Sequence, residues 1–319
     1  MKHILLLLVS AVVWSTAALM AQPATSLLDQ SEPQRIDLWP IGQQPDSRLQ
    51  GDALPADSIY NHRIWRCGVP RIYCYQPVTE ERSRTAVILI PGGGYIKQAY
   101  EVSGVSLAKW LNSIGITAFV LLHRLPNQPE LTNPWKAPMQ DAQRAIRYVR
   151  AHAEQFGIDP NRIGVMGTSA GGHFSACVST ITDDWSRIGD ALDTVPFLPN
   201  FAILVSPIVN ELESATAGKR KDLCGATEDD PIWSRLFAID RSVSASNPPT
   251  LMIHAADDPA VPVLNSVKMF EALKRAGVEK CSLHIFPFGK HAIAMRSQPG
   301  TTALWPEIAE GWMREIGVY

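Results

Sequence analysis

The chain has 319 residues, 46% hydrophobic and 19% charged. That balance excludes a disordered polymer, and the length suffices to bury a core without disulfide or metal staples. Its 29 basic and 31 acidic residues leave a net charge of −2, with no long basic run to suggest nucleic acid as a partner and no internal repeat of solenoid or propeller length.

Residues 1–21 read as an export signal: Lys2 and His3, then an apolar run over 4–13, then Ala17, Ala18 and Ala21 before a cut after Ala21. A membrane anchor is the competing reading, since 4–21 just reaches a bilayer's thickness, but Ser10, Ser15 and Thr16 interrupt it and no basic cluster follows. The expected destination is the periplasm or the cell exterior, with no stable membrane insertion after cleavage. Five cysteines remain (Cys67, Cys74, Cys177, Cys224 and Cys281), so at least one lacks an intrachain partner. Cys67 and Cys74 flank a Gly-Val-Pro turn, where a cross-strand disulfide competes with two buried thiols. No Cys/His spacing suggests a metal.

Residues 22–61 are rich in Pro, Gln, Asp and Ser and read as an extended leader on the domain surface; the main domain is expected over 62–319. Residues 63–67 and 72–75 look like paired strands. Apolar runs follow at 86–90 (AVILI), 116–122 (ITAFVLL), 163–166, 201–205 (FAILV), 250–254 (TLMIH) and 282–286 (SLHIF). Such near-continuous runs suit a parallel sheet covered on both faces. Helices are expected between them over 103–113, 140–156, 171–180, 264–276 and 304–315, making an α/β fold. Residues 210–247, with Lys219–Lys221, Asp229, Asp230 and Trp233, are read as a small insertion that helps build or cover a site.

Gly167-Thr168-Ser169-Ala170-Gly171 matches G-x-S-x-G between a strand and a helix. A nucleophilic serine on so sharp a turn needs small neighbours two residues away, and the helix N-terminus favours developing negative charge. Pro91-Gly92-Gly93-Gly94-Tyr95 directly follows the first strand of the alternating series, where main-chain N–H groups can approach a tetrahedral oxyanion; the donors are assigned to Gly93 and Gly94, with the Ala170 N–H after the serine. A phosphate-binding loop is disfavoured because neither Gly-Lys-Ser/Thr nor G-x-G-x-x-G is present.

A serine nucleophile needs a general base, and the base an orienting carboxylate. Of eight histidines, His291 alone lies in a loop just past a late strand, at Phe288-Gly289-Lys290-His291. His254 and His284 read as core residues, His62 and His152 as surface, His173 as packing, and His123 as a residue that could line the site. In His254-Ala255-Ala256-Asp257-Asp258-Pro259, Asp257 is preferred as the acid, with Asp258 read as capping the turn. The order Ser169, Asp257, His291 matches that of α/β-hydrolases. A glycosidase reading would need two carboxylates across a cleft and leaves the serine turn unexplained.

These motifs, with GITAFVLLHRLP (115–126), DAQRAIRYVR (141–150), GIDPNRIGVMGTSAGGH (157–173) and DDPAVPVLNS (257–266), resemble the α/β-hydrolase esterases related to acetyl-xylan and feruloyl esterases. The resemblance implies an α/β-hydrolase fold with a mostly parallel central sheet, a Ser169–Asp257–His291 triad and an oxyanion hole at Gly93, Gly94 and Ala170. It further implies an ester substrate, acetyl or another small acyl group on plant polysaccharide, and no metal or organic cofactor. The alternatives are a general carboxylesterase on apolar esters, a peptidase of the same fold and a non-catalytic binding protein. Three positions depart from the family pattern: His123 stands for a tyrosine, Ala255 for the glycine after His254, and Ala292 for the glycine after His291.

Overall fold

The computed structural model describes residues 33–78, 82–210 and 231–319. The signal expected over 1–21, Cys224 and the charged stretch at 219–230 lie outside these. Eight strands form the main sheet: β1 (Gln34–Asp37), β4 (Arg71–Tyr75), β5 (Ala86–Ile90), β6 (Thr117–Leu122), β7 (Ile163–Thr168), β8 (Phe201–Val205), β9 (Thr250–Ala255) and β10 (Ser282–Phe286). Their order is β1-β4-β6-β5-β7-β8-β9-β10. The strands from β6 to β10 run parallel, while β4 is antiparallel to β6 and β1 to β4. The sheet is the mostly parallel one expected.

Alternation explains why these strands read as unbroken apolar runs. In β5, Ala86, Ile88 and Ile90 enter one core, and Val87 and Leu89 the other. The first core is covered by α2 (Ala137–Ala151) and α3 (Ala170–Thr180), the second by α1 (Ser106–Ser113) and α6 (Trp305–Glu315). In α2, Met139, Ala142, Ala145, Ile146 and Val149 recur at helical spacing on the covered face. Helix α5 (Leu264–Arg275) joins β9 to β10 and sends Met269 and Leu273 to the first core. The expected 282–286 strand is the sheet's edge, so Ser282–Ile285 are only partly covered.

Several expectations for the N-terminal part need correction. The leader is not merely an extended surface segment, because residues 34–37 pair with β4 and extend the sheet. The strands near 63–67 and 72–75 do not pair with each other. Instead β3 (Arg63–Arg66) forms a hairpin with β2 (Ser58–Tyr60), and β4 takes β1 and β6 as neighbours. Cys67 and Cys74 are free, buried thiols, whose pKa values burial raises, that of Cys74 to about 12.

The leader is anchored by buried charge. Arg124, just after β6, and Asp141, on α2, are paired at 2.8 Å with both side chains fully buried. Asp141 also accepts from Trp39 Nε1 at 2.8 Å and from the Arg124 N–H at 2.8 Å. Arg124 donates further to the Pro45 carbonyl and to Gln140. Each charge is therefore multiply hydrogen-bonded, as burial requires. Removing one partner strands the other in the interior, so Asp141→Ala is expected to cost about 3–5 kcal/mol in urea unfolding. A loss under about 1 kcal/mol would show that water solvates Arg124 instead.

Candidate active site

The order of strands places the candidate residues together. From β5 the chain moves to β6 on one side, then crosses to β7 on the other and continues outward through β8, β9 and β10. A crevice opens at the carboxyl ends of strands at such a switch point. The loop after β5 carries Gly92–Gly94, and the turn after β7 carries Ser169; Ile90 and Gly167 are register partners.

Ser169 sits at φ 59°, ψ −122°, a conformation that non-glycine residues rarely adopt. It is held there by its N–H on the Val205 carbonyl (2.9 Å) and its carbonyl on the His173 N–H (3.0 Å). A Cβ on Gly167 would overlap the Gly171 carbonyl, and one on Gly171 would overlap the Ile90 carbonyl. The serine turn and the glycine loop are thus pressed against each other. Gly93 (φ 152°) and Gly94 (φ 65°) follow with left-handed backbone. Their N–H groups, like that of Ala170, have no hydrogen-bond acceptor among the described residues.

A cavity of about 390 Å³ opens onto Gly92, Gly93, Gly94, Ser169 and His291. His291 Nε2 lies 2.8 Å from Ser169 Oγ, and its Nδ1 lies 2.7 Å from Asp258 Oδ2. With a carboxylate at Nδ1, that nitrogen carries the proton and Nε2 accepts from the serine hydroxyl. The residues around His291 are set in left-handed backbone, Lys290 at φ 56° and Ala292 at φ 57°.

The acid facing His291 is Asp258, not the expected Asp257. Asp257 is exposed, and its Oδ1 accepts the Lys290 N–H at 2.8 Å, bracing the histidine loop from outside. Asp258 turns inward with its side chain fully buried. Its Oδ1 accepts the N–H groups of Ala260 (2.8 Å) and Val261 (2.9 Å), leaving Oδ2 for His291. The turn-capping role expected of Asp258 is real, but the same carboxylate caps the turn and faces the histidine. Asp258-Pro259 is itself a turn-opening pair, a signal that could have favoured it.

His254 supports Asp258 from behind, a contribution the strand pattern did not suggest. Its Nε2 lies 3.0 Å from the Val261 carbonyl and 3.3 Å from Asp258 Oδ2, and its Nδ1 accepts from Ser266 Oγ at 2.8 Å. Burial alone would raise the Asp258 pKa. The hydrogen bonds from His254, His291 and the two backbone N–H groups outweigh it and hold the carboxyl well below the usual carboxylate range.

The remaining histidines stand apart from the serine. His173 packs, as expected: its Nδ1 is 3.0 Å from Tyr95 Oη and its Nε2 donates to the Leu236 carbonyl at 2.7 Å. His173 thus links α4 (Pro231–Phe237), within the insertion expected over 210–247, to the glycine loop's tyrosine. His123 is buried against Phe174 and does not line the cavity. Among the described residues no group of three or more metal-ligating side chains occurs, and no helix is long and apolar enough to cross a membrane.

Residues 72–273 match the BD-FAE family model. The chain belongs to the BD-FAE family. It is 33% identical over 229 residues to an acetylxylan esterase of Xylanibacter ruminicola, covering 70% of this chain and 44% of that protein. It is 26% identical to endo-1,4-beta-xylanase B of Butyrivibrio fibrisolvens, covering 87% of this chain and 43% of that one. The chain thus spans less than half the length of these curated relatives. Among solved structures it resembles an acetyl ester-xyloside bifunctional hydrolase from Caldicellulosiruptor lactoaceticus, with TM-score 0.73, 36% identity and coverage of 90% of this chain and 97% of that one. A thermophilic esterase of Thermogutta terrifontis shares the fold at TM-score 0.65 and 23% identity, covering 86% and 96% of the two chains. The fold of this BD-FAE member is that of the α/β-hydrolase esterases.

The two adjacent acids separate experimentally. Asp258→Ala is expected to lower kcat on an aryl acetate by about 10³–10⁴, and Asp257→Ala by less than about tenfold. The reverse ranking would return the acid to Asp257. The depressed pKa of Asp258 also sets a stability window. Its stabilising contribution is present above the unfolded carboxylate pKa of about 3.9 and is lost as pH falls through the lower folded value. The Tm difference between wild type and Asp258→Asn should therefore be largest near neutrality and shrink below about pH 3. A gap independent of pH would contradict this.

Proposed function

We propose that this protein is a serine esterase acting through an acyl-enzyme on Ser169. The observation that carries the reading is the continuous hydrogen-bonded chain from Ser169 Oγ through His291 to Asp258. In this reading Ser169 Oγ attacks the ester carbonyl carbon as its proton passes to His291 Nε2. The resulting oxyanion is held by the N–H groups of Gly93, Gly94 and Ala170, which are free of other acceptors. Collapse expels the alkoxide, which takes the proton from His291. Water then gives a proton to His291 and attacks the acyl-enzyme, and the carboxylic acid leaves as Ser169 is reprotonated. Asp258 stays ionised and stabilises the imidazolium formed in both steps.

The ester is proposed to be an acetyl or similarly small acyl group on plant polysaccharide. The relatives' names support this choice: an acetylxylan esterase, a xylanase and an acetyl ester-xyloside hydrolase. Export is proposed from the pattern of residues 1–21. The test is acetate release from acetylated xylan beside hydrolysis of an aryl butyrate. Faster acetate release, reduced by about 10⁶ in Ser169→Ala with unchanged Tm, is the expected result. Butyrate turnover with an untouched glycan would replace the polysaccharide reading with a general carboxylesterase. Full activity in the alanine variant would remove Ser169 from the mechanism.

A further inference from the structure

The cavity beside Ser169 carries charge of one sign. Its lining includes Arg63 and Lys97 and no carboxylate among the described residues, in a chain whose net charge is −2. Neither cation has an ion-pair partner among the described residues. The nearby acids are engaged elsewhere: Glu101 with His62 at 2.8 Å, Asp257 with the Lys290 N–H, and Asp258 with His291.

The two cations are also positioned. Arg63 opens β3, and the next residue, Ile64, exchanges two backbone hydrogen bonds with Gln98 (3.1 and 2.8 Å). This bridge fixes the β2–β3 hairpin against the segment that follows the glycine loop. Lys97 precedes Gln98, and its Nζ lies 4.7 Å from the centre of the Trp65 ring on the same hairpin. Trp65 Nε1 in turn donates to the Tyr60 carbonyl at 3.3 Å. A cation over an indole face keeps its charge while losing freedom. Two unneutralised cations at the mouth of a partly enclosed cavity favour a negatively charged ligand.

We propose that Arg63 and Lys97 form a carboxylate-recognising subsite beside the serine, so that the preferred substrate is an ester on a glycan that also bears a uronic acid. This rests on the esterase reading above and narrows its substrate class. Arg63 presents a fork of N–H donors suited to a carboxylate, and Lys97 a point charge.

The experiment compares an acetylated, uronate-bearing xylo-oligosaccharide with the same oligosaccharide after its uronate carboxyls are reduced to alcohols. At low salt, wild-type kcat/KM is expected to be about five- to tenfold higher on the uronate form. The ratio should shrink in about 0.5 M salt as the charges are screened. In the Arg63→Gln/Lys97→Met double variant it should fall to near one. A parallel pair, 3-(4-acetoxyphenyl)propanoate and its amide, reports whether any carboxylate suffices or a sugar-borne one is needed. Equal wild-type turnover of the two oligosaccharides would overturn the subsite while leaving the esterase reading standing, and so would a preference that survives in the double variant. Turnover of none of these four acetates would overturn the esterase reading and the subsite with it.

Discussion

The site depends on one strained backbone position. A serine at φ 59°, ψ −122° exists only where the surroundings hold it, and here they come from three directions. The Val205 carbonyl on β8 takes its N–H, the first turn of α3 takes its carbonyl, and the Ile90 carbonyl at the end of β5 leaves no room for a side chain on Gly171. The central strands are buried on both faces and cannot shift, so the turn is anchored in the most rigid part of the sheet. The packing that strains the serine also presses the glycine loop against it. One constraint thus places both the hydroxyl and the backbone N–H groups proposed to act with it.

Polar groups in the interior extend this logic outward. Asp258 satisfies two backbone N–H groups with one oxygen and meets two histidines with the other, so its side chain has a single position. His254 occupies a core strand yet serves the site through that contact. On the other side of the sheet's switch point, the Arg124–Asp141 pair ties the segment before β2 to α2 through Trp39 and Pro45. Arg144 repeats the pattern, bonding the Leu38 carbonyl and Asp190. The N-terminal segment is thus held by directional bonds to buried charge as well as by pairing with β4 and by Ile36, Leu38 and Trp39 in the core.

The same distinction governs what the sequence made legible. The inner parallel strands were readable because burial on both faces leaves few polar residues to break the run, His254 in β9 being an exception. The serine turn and glycine loop were readable because sterics at Gly167, Gly171 and Gly93 demand the absence of a side chain. The choice between Asp257 and Asp258 was barely readable, since it depends on which way a turn aims two adjacent identical side chains, and the Asp258-Pro259 pair was its one signal in the sequence. Residues 34–37 escaped because a four-residue edge strand with one buried side chain carries almost no pattern. Arg124 and Asp141 resemble solvent-facing charges in one dimension, and only the fold shows that they neutralise each other in the core.

The central claim is that Ser169 is an activated nucleophile, and covalent labelling tests it most directly. The folded protein would be treated with an aryl fluorophosphonate, and its intact mass and peptide masses measured. The account expects one phosphonyl group per chain, on the peptide containing Ser169, and no adduct when the protein is unfolded before treatment. A folded protein that stays unmodified, or that is labelled at another residue, would contradict it.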